Sequence, residues 1–271
     1  IIENILTGSN SDKIKIFRNK PINFKIKFNE NNIDKDHIIY DLQGEMTVNK
    51  SEIDKLNLKS KFYDGKEIFL SISNKDNQKI TTFYSDLAKP FVKKFKFIKG
   101  FEGGKINYSS KKINNISKSH LNIYDFKLKQ VPALTKLLTL ASLQGISDIL
   151  TGEGVRFDEF EMIFSNENKL MKIDEIYSIG PAISIMMDGY IQNDELVSLR
   201  GTLVPATTIN KFVSSIPILG EILVGKKTGE GVFGVSFKIK GHPDSLKTTV
   251  NPIKTLTPRF ITRTLENIKG S

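Results

Sequence analysis

Strict alternation of apolar and polar residues restricts this chain more than any other feature, because only a β-strand with one buried and one wet face has a period of two. Ile22, Phe24, Ile26 and Phe28 alternate with Asn23, Lys25 and Lys27. Leu56 and Leu58 alternate with Asn57 and Lys59. Ile68, Leu70 and Ile72 resume the pattern after Tyr63-Asp64-Gly65-Lys66, whose Asp-Gly pair suits a tight hairpin. Asn19-Lys20-Pro21 reads as a turn leading from Ile14-Lys15-Ile16 into the first of these runs. Further strands are expected at about 38–48, 79–84, 104–110 and 119–129, with one short helix over Ser85–Phe95.

The second half changes character. Val131–Leu150 opens with Pro132 and carries only Lys136 and Asp148 as charges, so it reads as a helix apolar around most of its circumference. A similar apolar block spans Thr207–Val224, divided by Pro217 and Gly220. Strands are expected at about 157–164, 169–177, 182–191, 196–204 and 230–240. In the last, Phe233, Val235, Phe237 and Ile239 alternate with Gly234, Ser236 and Lys238. Thr151-Gly-Glu-Gly-Val155 recurs as Thr228-Gly-Glu-Gly-Val232, each copy following an apolar block and preceding a strand, which suggests a duplicated unit.

The resulting fold class is mainly β: consecutive antiparallel strands, two short apolar helical blocks and a C-terminal helix. Segments 1–130 and 131–271 form one continuous sheet in this reading. Such a sheet must cover its apolar face by folding into a sandwich or barrel, by packing helices on it, or by curling into a groove that holds an apolar ligand. The pattern leaves these three open.

Charge narrows the function classes. Residues 1–130 hold 25 basic and 15 acidic residues, whereas 131–271 hold 15 of each, so the net charge of +10 belongs to the first half. Lysine supplies 35 of the 40 basic residues, and it alternates with buried-face positions instead of clustering with aromatics. Base and phosphate reading leans on the planar fork of arginine. The lysines therefore read as the wet face of strands, and no nucleic-acid partner is expected. With no Cys and with His37, His120 and His242 far apart, thiol chemistry and a local His metal site are excluded.

Nucleotide motifs fail on context. Gly229-Glu-Gly-Val-Phe-Gly234 matches a dinucleotide fingerprint in form, and Gly220–Lys227 comes close to a P-loop, but a strand follows each where a helix is required. Glu153, Asp158, Glu159 and Glu161 form the densest acidic cluster, with Glu159 and Glu161 on one strand face and no His or candidate nucleophile expected nearby. That cluster reads as a solvated strand edge, and neither an enzyme activity nor a cofactor is expected.

The charge-free stretches Leu137–Ser147 and Ile176–Met187 are too short to span a bilayer, which takes about 20 residues. The chain starts at Ile1, and the expectation is a piece of a longer protein, or a processed one, with any anchor or targeting signal upstream of it.

An ordered set of motifs marks the second half: Phe126–Leu134, Leu138–Gly145, Gly152–Asp158, Gly180-Pro-Ala, Leu199–Pro205, Ile216–Gly220, Gly229–Phe233, Val250-Asn-Pro252 and Leu256-Thr-Pro258-Arg-Phe. Over about 126–260 this set resembles the C-terminal region of bacterial AsmA-like proteins, the YhdP-type branch in particular. Leu42-Gln-Gly44, Tyr63-Asp-Gly65 and Phe101–Gly104 look, more loosely, like the preceding β repeat of that family. The resemblance implies a periplasmic location, an inner-membrane anchor, and a long β groove (a β-taco-like trough) that passes phospholipid between inner and outer membranes. It implies phospholipid, membrane and envelope proteins as partners, with no catalytic residues. On that reading the groove is lined by Ile22, Phe24, Ile26, Phe28, Leu56, Leu58, Ile68, Leu70, Ile72, Phe233, Val235, Phe237 and Ile239. The alternative is a closed β-domain that binds a protein or polyanion through its lysine face.

Overall fold

In a computed structural model of the chain, the described residues are 20–49, 52–92, 99–130, 154–193, 195–206, 234–253, 259–263 and 266. Thirteen strands form one antiparallel sheet whose spatial order is the chain order. They are β1 (Ile22–Asn32), β2 (Ile38–Asn49), β3 (Glu52–Phe62), β4 (Glu67–Lys75), β5 (Gln78–Ser85), β6 (Lys99–Ile113) and β7 (Ile116–Gln130). Then come β8 (Val155–Glu167), β9 (Leu170–Ile179), β10 (Ile183–Gln192), β11 (Leu196–Pro205), β12 (Gly234–Gly241) and β13 (Lys247–Ile253). The sheet is not closed. Among the described residues β1 and β13 are its two edges.

The alternation expected from the sequence becomes a register that holds across the whole sheet. Ile26, Gly44, Leu58, Leu70, Phe83, Tyr108, Leu121, Met162, Ile176, Met187, Gly201, Phe237 and Val250 are direct cross-strand partners, one from each strand in turn. Twelve strand spacings of about 4.8 Å carry this row about 58 Å. Neighbouring rows on the same face belong to the same hydrophobic cluster, and its middle is dry: Leu56, Leu70 and Ile72 each expose 1%.

The two ends of the strands differ. At one, the hairpin end, short turns join β4 to β5, β6 to β7, β8 to β9 and β10 to β11. Asp76 and Asn77 both have positive φ, 53° and 58°, as the two-residue type I′ turn requires. At the other, the long-connection end, the chain passes from β5 to β6 through α1 (Lys89–Val92, Lys-Pro-Phe-Val), and from β7 to β8 and β11 to β12 through longer stretches. Both apolar blocks, Val131–Leu150 and Thr207–Val224, fall in those stretches and outside the described residues, as does the second Thr-Gly-Glu-Gly-Val copy.

Helix α1 begins at Lys89 rather than at the Ser85 expected, and the rest of the expected span, from residue 93, lies outside the described set. Its Pro90, Phe91 and Val92 are buried. Phe91 meets Phe83 edge-on with ring centroids 4.7 Å apart, so the turn covers part of the apolar face. Beside it, Phe101-Glu-Gly-Gly104 forms a kink in β6. Gly103 and Gly104 have φ of 73° and 80°, Asp125 on β7 has φ of 53°, and Phe126 stacks between Phe101 and Phe157 at 5.2 and 5.3 Å. An added Cβ on Gly104 would come within 3.1–3.2 Å of Ala88, Phe101 and Phe126, which explains glycine there.

Strand β13, Lys-Thr-Thr-Val-Asn-Pro-Ile, is not among the strands expected from the sequence, and it contains Pro252, which cannot donate to a ladder. It is tolerated on an edge strand, where one side of the backbone needs no ladder partner.

Gly104→Ala should destabilise the fold by about 1–3 kcal/mol from backbone strain alone. Leu70→Ala should cost about 2–5 kcal/mol. Urea unfolding read by circular dichroism measures both, and unchanged midpoints would contradict this packing.

Candidate functional site

Ile22, Phe24 and Ile26 of β1 lie opposite Val48, Met46 and Gly44 of β2, and Leu56 and Leu58 of β3 continue those rows to Ile72 and Leu70 of β4. Ile68 shares the face one row on, opposite Ser60 and Ser85. On β12, Val235, Phe237 and Ile239 face Leu203, Gly201 and Leu199. Twelve of the thirteen groove positions expected from the sequence thus share one face of one sheet. The other, Phe233, lies outside the described residues.

Access to this face is graded. Leu56, Ile68, Leu70, Ile72, Val235, Phe237 and Ile239 are buried. Leu58 and the β1 positions Ile22, Phe24 and Ile26 are only half-buried, and Phe28 at the β1 edge is 54% exposed. The apolar face therefore reaches solvent at the β1 edge. Lys25 and Lys27 point the other way and are exposed, as the alternation requires.

The outer face carries the polar structure. Two outer depressions of about 240 Å³ each, one among Phe69, Tyr84, Asn107 and His120 and one among Asp188, Arg200, Ser236 and Lys238, are shallow and fall below the ~300–1,000 Å³ usual for a small-molecule pocket.

In the acidic cluster Asp158 is exposed, as a solvated edge would have it, and Glu153 lies outside the described residues, but Glu161 is drawn into a buried network. Glu161 is largely buried, and its Oε1 lies 2.7 Å from Nε2 of His120, which β7 carries on the neighbouring strand. Its other oxygen pairs with Arg263. Glu175, whose side chain exposes 6%, pairs with Arg259 and lies 3.1 Å from Nε of Arg263. Arg263 also sits over the Tyr177 ring, 5.0 Å from its centroid. Both arginines belong to the helical residues 259–263, and Phe260 between them is fully buried against Val204 and Met186. The C-terminal helical segment is thus clasped onto the outer face of β8–β11. The partners of Glu161 come from β7 and from residues 259–263, distant in sequence, so spacing within 153–161 gave no sign of them.

A second polar knot sits at the long-connection end. Asp86 accepts hydrogen bonds from the Tyr84 hydroxyl and from the Glu67 N–H at 3.0 Å. Those bonds, the phenol's first, hold Asp86 below the usual carboxylate range, with Lys105 at 3.8 Å adding to the effect. The same contact pushes Tyr84 up to about 12. The Asp86 contribution to stability is therefore complete above the ordinary carboxylate pKa and is lost as pH falls through its lowered value. The Tyr84 contribution is complete below the ordinary phenol pKa and is lost as pH rises through about 12.

Tyr84→Phe should cost about 1.5 kcal/mol at neutral pH and flatten the acid limb of the stability profile, measured by urea unfolding at a series of pH values. Arg263→Met should cost about 3 kcal/mol, the low end for a broken buried pair because Arg259 still faces Glu175. Adding Glu175→Gln to Arg263→Met should recover part of that loss, and an additive double variant would count against the clasp. No protein-family model, curated protein or solved structure matches the chain.

Proposed function

We propose that this chain is a non-enzymatic lipid-conduit segment that holds phospholipid acyl chains along the apolar face of an open sheet and passes them between two membranes of a bacterial envelope. One observation carries the reading: a single apolar face crosses all thirteen strands in register and stays accessible at the β1 edge. Acyl chains gain about 0.8 kcal/mol for each CH₂ removed from water, so a continuous apolar row favours them at every step along it. Soluble proteins seldom leave such a face open without a use for it. The groove shape, the periplasmic location and the inner-membrane anchor belong to this reading through the likeness of its motifs to AsmA-like proteins.

On this proposal lipid meets the face first at Ile22, Phe24, Ile26 and Phe28, and the buried positions from Leu56 to Ile72 form a floor behind them. Within that scheme Val235, Phe237 and Ile239 serve as the floor at the far edge. The open sheet disfavours the closed-domain alternative.

A photo-crosslinking residue at Phe24 or Ile26 should capture phospholipid in cells, and one at Lys25 should capture little. Equal capture at the two faces, or none at either, would sink the proposal.

A further inference from the structure

The hairpin end carries a second surface that the conduit does not use. On the outer face, Ile80, Lys111, Lys118, Ser165, Lys172 and Tyr190 are direct cross-strand partners on six successive strands, β5 to β10. Five spacings of about 4.8 Å make this row about 24 Å long. Beyond it, toward the turns, Ile113 and Ile116 face each other at the tip of the β6–β7 hairpin, and Leu170 lies at the tip of β8–β9. Ile80, Ile113, Ile116, Leu170 and Tyr190 are 36–45% exposed. Large apolar side chains interleaved with lysines, on one edge, form an amphipathic surface.

Two of the three lysines in this row have no carboxylate partner among the described residues. At the long-connection end three lysines are paired: Lys61 with Asp41 at 2.8 Å, Lys129 with Glu102 at 2.9 Å, Lys66 with Asp64. At the hairpin end Lys172 pairs with Asp174 at 2.7 Å, but Lys111 and Lys118 make no ion pair among the described residues. The carboxylates at this end are Asp76 and Glu195 in two of the turns, Glu167 opposite Leu170, Asp174 beside Lys172, and Glu52 near Lys79. The inner face of the same edge is also basic, with Lys79 directly opposite Lys112. Burial and the Lys112 charge favour the neutral form of Lys79, and Glu52 only partly opposes them.

We infer that the hairpin end of this sheet docks edge-on to an anionic lipid bilayer, with Ile113, Ile116 and Leu170 entering the acyl boundary and Lys111 and Lys118 meeting the headgroups. A rigid protein partner would complement one face of the edge. Lysines on both faces suit a fluid anionic surface that closes around both. Exposed aliphatic tips gain nothing from a phosphate backbone but enter hydrocarbon favourably, while lysine stems extend to the headgroups. This surface stands apart from the apolar inner face, so its failure leaves the conduit reading untouched.

The test uses the whole chain and vesicles of phosphatidylcholine with or without phosphatidylglycerol. Binding by co-sedimentation should require phosphatidylglycerol and weaken with salt. The double variant Lys111→Gln/Lys118→Gln should lower partitioning ~25-fold, about fivefold for each lysine removed, whereas Lys25→Gln/Lys27→Gln on β1 should leave it unchanged. Because the chain contains no Trp, Ile113→Trp supplies a single fluorophore, whose emission should shift to the blue on anionic vesicles and be quenched by brominated acyl chains. Equal losses from the two lysine pairs, no preference for anionic vesicles, or an unshifted Trp emission would overturn the inference. So would tighter binding to single-stranded DNA that ignores Ile113→Ser/Ile116→Ser, which would mark the row as a polyanion site.

Discussion

Everything in this molecule depends on keeping backbone register across twelve successive strand pairings, because side chains alternate faces with a period of two and a slip of one residue would turn a strand inside out. The slips that do occur are confined. Register shifts between Tyr40 and Gln43, between Thr47 and Val48, between Ile163 and Phe164 and between Met187 and Gly189. Asp41 takes up a positive φ at the first of these, as a bulge residue does, and Asp125 does so where β7 bends against Gly103 and Gly104. Apolar rows resume beyond each irregularity, so the inner cluster runs from Ile39 to Ile239 without a break.

Given that register, the sequence's charge acquires a geometry. Its lysine excess looks uniform along residues 1–130, but folding sorts it by strand end. At the long-connection end lysines meet carboxylates, and at the hairpin end they stand beside exposed Ile and Tyr. This arrangement separates two tasks on one sheet, an apolar inner face and a basic rim. The separation follows from antiparallel topology: every second turn lies at the same end, so residues near short turns from many hairpins collect along one edge.

Polar contacts on the outer face do a different job. Glu161 and Glu175 would be costly to bury alone, yet Arg259, Arg263 and His120 surround them, and Phe260 supplies the apolar contact that makes the burial worthwhile. The result explains why β9 is buried on both faces near Ile176 and Tyr177 while most strands alternate. Breaking one partner leaves a charge without its counterion, so the clasp fixes where the C-terminal helical segment rests as well as adding stability.

Much of this was legible in the residues. Period-2 alternation placed most strands within a few residues, put Ile22, Leu70 and Phe237 on one face, and put Lys25 on the other, because pleat geometry is local and each strand carries its own record of it. Other features were illegible because they are not local. The edge strand Lys247–Ile253 has little pattern of its own and exists through pairing with β12. His120 joined Glu161 only because β7 and β8 are neighbours, and Arg263 reached Glu175 only when the chain's end folded back. By itself the sequence determined that these strands would form and which way their side chains would point. Tertiary structure decided that the sheet stays open, how far each apolar position is sealed from water, and which lysines find a carboxylate, since burial and ion pairing depend on groups brought together from distant parts of the chain.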